Sequence, residues 1–187
     1  MPFVDHHLPE PKAPKPRAKP AAPKGPRTEP LYVDLIPSTS WYCNLRSVLT
    51  VAEWNRVKAK TFAASNNLCQ ACGGRGKKHP VECHERWSFD MESRVQAFVK
   101  TVALCPSCHR VCHIGWTGSA LGDKMVQVAK WHLGRVNEWE PWQVEAHIEV
   151  AFEDWGRRSA GPWTLDISNL IGYVELGPKT LAKLGAV

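Results

Sequence analysis

Residues 69–87 read CQACGGRGKKHPVECHERW, and residues 104–113 read LCPSCHRVCH. Each stretch holds a Cys-x2-Cys pair, Cys69/Cys72 in the first and Cys105/Cys108 in the second. Four thiolates from two such pairs suit tetrahedral zinc, and a site closed by four cysteines is structural rather than catalytic. Gly73 and Gly74 let the backbone turn tightly beneath a bound ion. Residues 73–104 between the pairs exceed what a compact zinc ribbon needs and leave room for a hairpin.

The closed site leaves Cys83, His84, His109 and His113 unassigned. From 81 to 89 the residues alternate. Val81, Cys83, Trp87 and Phe89 fall on one side, and Glu82, His84, Arg86 and Ser88 on the other, with Glu85 the exception on the apolar side. That pattern predicts a strand, and VQAFVKTVAL at 95–104 predicts a second. Pro106 opens a helix that sets His109 and His113 one turn apart on one face. Histidines at i and i+4 form a two-point metal grip; the alternative is a pair of partly buried imidazoles satisfied by hydrogen bonds.

Outward from this core the chain changes character. Residues 1–30 hold nine of the 15 prolines, with Lys12, Lys15, Arg17, Lys19, Lys24 and Arg27 uninterrupted by acid, and predict an extended basic tail. Within it His6 and His7 read as bystanders. Residues 31–66 read as a helical extension in which Thr50 and Glu53 make a capping box for a helix over 51–65. Residues 67–117 carry the metal motifs. Residues 118–187 read as a second helical extension, with helices over 121–133 and from Pro141 to about Arg157. Val144, Ile148, Ala151, Phe152 and Trp155 form a core-facing stripe of the latter. WTLDIS at 163–168 reads as a short strand, and the final GPKTLAKLGAV as loosely held.

With 24 basic and 18 acidic residues the net charge is +6, which favours a polyanionic partner, nucleic acid before a membrane surface. No run approaches ~18 apolar residues, so no membrane span is expected. MPFVDHHLPEP lacks the apolar core of a secretory signal. Seven cysteines without such a signal indicate metal binding in a reducing cytoplasm rather than disulfides.

These motifs resemble the HNH endonucleases of the ββα-metal superfamily, and the wider sequence is similar to HNH proteins of bacteria and their phages. The resemblance implies an α+β fold: a ββα-metal core stapled by a four-cysteine structural Zn2+ site, with α-helices flanking it at both ends. It implies a catalytic divalent ion (Zn, Ni, Mn or Mg) held by Cys83, His109 and His113. His84 would be the general base, the second member of a strand-end pair whose first member, Cys83, binds the metal, and Glu85 is a further catalytic candidate. DNA would be the partner, cleaved at the 3′ oxygen–phosphorus bond, with Lys77, Lys78, Arg86 and Arg110 contacting its backbone. The other class is a non-catalytic zinc-stapled DNA-binding or adaptor module.

Two positions depart from the family. Lys100 stands where an asparagine usually braces the loop between the strands, a task Gln96 could take over. Cys83 stands where an aspartate or histidine is usual, and a thiolate suits zinc far better than magnesium. Cys83 either completes a three-ligand site or packs inward as a small hydrophobe, with Glu85 or water completing the shell.

Overall fold

A computed structural model describes residues 25–183. Most of the predicted N-terminal tail, including His6 and His7, lies outside them, as do residues 184–187. Residues 25–30 are not a free tail. Thr28 and Glu29 both donate backbone N–H to Gln70 O (2.9 and 3.2 Å), and Arg27 donates to Val136 O (2.6 Å).

The described residues form an α+β fold with a mixed three-stranded sheet and seven α-helices. Two helices, α1 (Leu45–Val48) and α2 (Val51–Ala64), precede β1 (Glu82–Asp90) and β2 (Val95–Leu104). Four more follow: α3 (Pro106–Cys112), α4 (Ile114–Leu121), α5 (Asp123–Asn137) and α6 (Pro141–Arg158). The short β3 (Thr164–Asp166) and α7 (Pro178–Lys183) close the chain. Sheet order is β1-β2-β3, so β1 is an edge strand; it pairs antiparallel with β2, which pairs parallel with β3. No described helix is long and apolar enough to cross a membrane.

The hairpin explains why both faces of β1 are useful. Arg86 pairs with Lys100 but Trp87 pairs with Phe98, leaving Val99 as an extra residue on β2. This bulge reverses the facing of β2 about that point. Val102, opposite His84, thus joins one apolar cluster and Phe98, opposite Trp87, joins another. The first cluster packs Leu31, Val33 and Leu35 against the four paired cysteines and against Leu133, Val144 and Ile148 of α5 and α6. The second joins Leu45 and Val57 to Cys83, Trp87, Phe98 and Leu170. The loop between the strands is braced by Asp90, whose carboxylate accepts from Glu92 N, Ser93 N and Ser93 Oγ. Gln96 is instead fully buried and donates to Cys43 O (3.3 Å), while Lys100 pairs with Glu29 (2.7 Å).

Four expectations change in detail. The polar side of β1 faces inward: His84 and Arg86 are each 3 % exposed, because the extended segment 30–35 covers them. Phe152 turns to solvent (41 % exposed), since only Val144 and Ile148 of its stripe sit fully in the core. Residues 114–121, unassigned in sequence, form α4, and the helix predicted from 121 starts after Gly122, whose φ of +77° ends α4. The C-terminal segment is tied down rather than loose. Glu53, the capping-box acid, is 2 % exposed and accepts from Thr50 N and Oγ1 (both 2.7 Å), Gly177 N (2.7 Å) and Thr180 Oγ1 (2.8 Å).

That cluster has a pH signature. Burial works to raise the Glu53 pKa, but the donors from Gly177, Thr50 and Thr180 outweigh it and hold it near 2, below the usual 4.5. A carboxyl with a depressed folded pKa stabilises above its unfolded value and loses that contribution as pH falls through its folded one. Thermal unfolding should therefore show an acid-dependent loss between about pH 4.5 and 2 that Glu53→Gln abolishes. The same substitution should lower stability at pH 7 by about 1–3 kcal/mol, because it removes charged hydrogen bonds.

Candidate metal centres

Two groups of ligand-type side chains sit on either end of α3. Cys69, Cys72, Cys105 and Cys108 bring their sulfurs within 4.8 Å of one another, all four buried. Cys72 Sγ and Cys105 Sγ are 3.7 Å apart, close to the edge of a tetrahedron with zinc–sulfur bonds of about 2.3 Å. The first knuckle closes through Gly73 N to Cys69 O (2.7 Å) and Cys69 N to Gly74 O (2.8 Å), with Gly73 at φ +69°. The second is the start of α3, where Cys105 is the N-cap and Pro106 the first helical residue. Hydrogen bonding with Cys105 lowers the pKa of both Cys69 and Cys72, while hydrogen bonding with Cys105, Cys69 and Cys72 raises that of Cys108, so the four sulfurs act as one group. The donor set, spacing and closure fit structural zinc. His132 Nε2 lies 3.1 Å from Cys108 Sγ, and Arg135 lies 3.3 Å from His132 Nδ1. This places an N–H donor from α5 on a cluster sulfur, the outer support that metal thiolates take.

The second group is His84, His109 and His113, again with ligand atoms within 4.8 Å of one another. Their ring centroids lie 4.8–5.3 Å apart and meet edge to face. His84 comes from the start of the edge strand, His109 from the middle of α3, and His113 from its C-cap. The helical bond from His113 N to His109 O (3.1 Å) at the end of α3 keeps the latter two on one side.

Two of the rings are backed by carboxylates. Asp34 Oδ2 lies 3.2 Å from His84 Nε2, and Glu82 Oε2 lies 2.6 Å from His109 Nδ1. This leaves Nδ1 of His84 and Nε2 of His109 as the free nitrogens. A carboxylate on the far nitrogen of a ligating histidine fixes its tautomer and raises its basicity. Burial lowers the pKa of His84, and it takes His113 down to about 3, so both are neutral with a lone pair available. Asp34 stays ionised: burial opposes this, but His84 and Arg86 overcome it. One ion with bonds of about 2.1 Å would take one nitrogen from each ring. The group fits a divalent cation.

Cys83 is the main correction. The structure does not bring it to His109 and His113; it lies on the opposite face of β1, in the second apolar cluster, with its thiol 3.6 Å from Thr61 Oγ1. Burial pushes its pKa up to about 11, so it is a protonated, inward-packed hydrophobe. His84 occupies the third place instead. Arg86 is a second correction. It is buried, bonded to Asp34 (2.7 Å) and stacked 3.9 Å from the Tyr32 ring, so it cannot clamp a nucleic-acid backbone. Lys77 and Lys78 are exposed on the knuckle loop, and Arg110 is half-buried beside the triad.

The triad opens into a cleft of about 970 Å³ that wraps the edge of β1, so side chains from both strand faces line it. Arg46, Lys58, His79 and Arg110 contribute basic groups to its wall. Its acids are Glu82, paired with His109, and Glu85, which accepts weakly from Leu45 N (3.4 Å). Burial raises the Glu85 pKa to about 7.

Asp34 and Glu82 escaped the sequence reading. Asp34 is the one acid in the apolar run LYVDLI, and a charge placed so against the pattern was the available signal. Glu82 precedes His84 by two on one strand face, but nothing local ties it to His109. No family model, no curated protein and no solved structure matches the chain.

Proposed function

We propose that the protein is a metal-dependent endonuclease of DNA built on an HNH, or ββα-metal, core. The order β1, β2, α3 supports this, with triad histidines drawn from the first strand and the helix. The observation that carries the reading is a trio of imidazoles, two of them carboxylate-backed, at the wall of a basic cleft. A bound divalent ion would stabilise charge on the phosphate and on the leaving oxygen.

The remaining roles fall to the chain's own groups. His84, His109 and His113 hold the ion, and Asp34 and Glu82 orient two of them. His84 therefore gives up the general-base role: Nε2 is committed to Asp34 and Nδ1 belongs to the triad. Glu85 takes it over, since its carboxyl lines the same cleft and exchanges protons near neutral pH. Arg46, Lys58 and Arg110 draw in the phosphodiester backbone. The resemblance implies scission of the 3′ oxygen–phosphorus bond.

Supercoiled plasmid incubated with Zn, Ni, Mn or Mg should be nicked with at least one metal. Glu85→Gln should slow this about 10²–10⁴-fold while keeping the metal. A His84→Ala protein that keeps its metal but not its activity, beside an active Glu85→Gln, would return the base role to His84. Failure to cleave with any of these metals would leave the non-catalytic DNA-binding module.

A further inference from the structure

Several tryptophans stand at the surface, and two of them line the cleft that holds the triad. Trp41 precedes α1, and Trp116 lies in α4 directly after His113; each is 48 % exposed. Among the described residues neither pairs with another aromatic ring or lies under a cation, unlike Trp54, which carries Arg46 at 5.2 Å. Two large flat rings left facing a basic cleft are poor choices for contacting phosphate alone. They are good platforms for the face of an unstacked base.

The depth of the triad points the same way. His84 is 3 % exposed and His113 is half-buried, so a scissile phosphate must enter the cleft rather than touch a flat surface. A continuous duplex keeps its bases stacked, hides their faces and holds its backbone on a stiff cylinder. A single strand can bend inward and offer bases to Trp41 and Trp116 while Lys58 and Arg110 meet its phosphates. Charge attracts both forms; only the rings and the recess distinguish them.

We infer that the preferred substrate is single-stranded or locally unpaired DNA, gripped by stacking on Trp41 and Trp116. This rests on the nuclease reading of the cleft. The test uses three labelled DNAs of one sequence: a single strand, a duplex, and a duplex with a short unpaired gap. Affinity is read by anisotropy with Glu85→Gln protein, and cleavage separately with wild type. Single-stranded and gapped DNA should bind at least about tenfold tighter than duplex. Trp41→Ala and Trp116→Ala should each lower single-strand affinity about tenfold and leave duplex binding nearly unchanged, with Trp→Phe restoring most of the loss. Both rings are half-exposed, so thermal unfolding should confirm intact folds.

Equal affinity for single strand and duplex, or single-strand binding indifferent to both alanine substitutions, overturns the inference. Equal affinities with efficient cleavage would do so while sparing the nuclease reading. A ring-dependent single-strand preference with no cleavage by wild type would uphold the inference and remove the nuclease.

Discussion

Cys72→Ser is expected to abolish the native fold at physiological temperature, and zinc chelation of the wild type should do the same. The four cysteines are 0–6 % exposed and sit within the larger apolar cluster, not on its margin. Structural zinc in small sites contributes about 10–16 kcal/mol, comparable to the whole stability of an ordinary domain. Without the ion the cluster becomes four crowded sulfur groups in a core, with His132 as the one donor from outside the cluster among the described residues. Far-ultraviolet circular dichroism against temperature reads the effect. A cooperative transition unchanged after chelation would mean that the sulfurs are held by packing alone.

The second large effect is expected at Asp34, a residue that touches no substrate. Asp34→Asn should weaken metal binding at the histidine triad about 10–100-fold, because His84 loses the carboxylate that orients it. It should also destabilise the fold by about 3–5 kcal/mol, because Arg86 remains buried beside it with its counter-charge gone. The two consequences separate. Adding Arg86→Met to Asp34→Asn should recover most of the stability and none of the metal affinity. If both recover together, Asp34 acts only as the partner of Arg86.

Much of the scaffold was legible in sequence because its signals are local. The Thr50–Glu53 capping box, the two strand patterns, Pro106 and Pro141 at helix starts, and the paired cysteines each act over a few residues. The partly ambiguous site was not, because it is assembled by non-local contacts. The side chains of Cys83 and His84 point to opposite faces of β1, and sequence cannot say which face meets α3. That choice depends on the Leu31–Leu35 segment covering the His84 face and on Thr61 from α2 meeting the Cys83 face. Arg86 was misjudged for the same reason. An arginine on the polar side of a strand reads as solvent-exposed until a buried aspartate from another segment is placed against it.

We propose that the three histidines form a second metal site, separate from the cysteine cluster. Metal content per folded chain tests it most directly, measured on wild type and on the His84→Ala/His109→Ala/His113→Ala protein. About two ions per chain are expected in wild type and about one in the variant, with plasmid cleavage lost along with the second ion. One ion in both proteins, with cleavage unchanged, would contradict it.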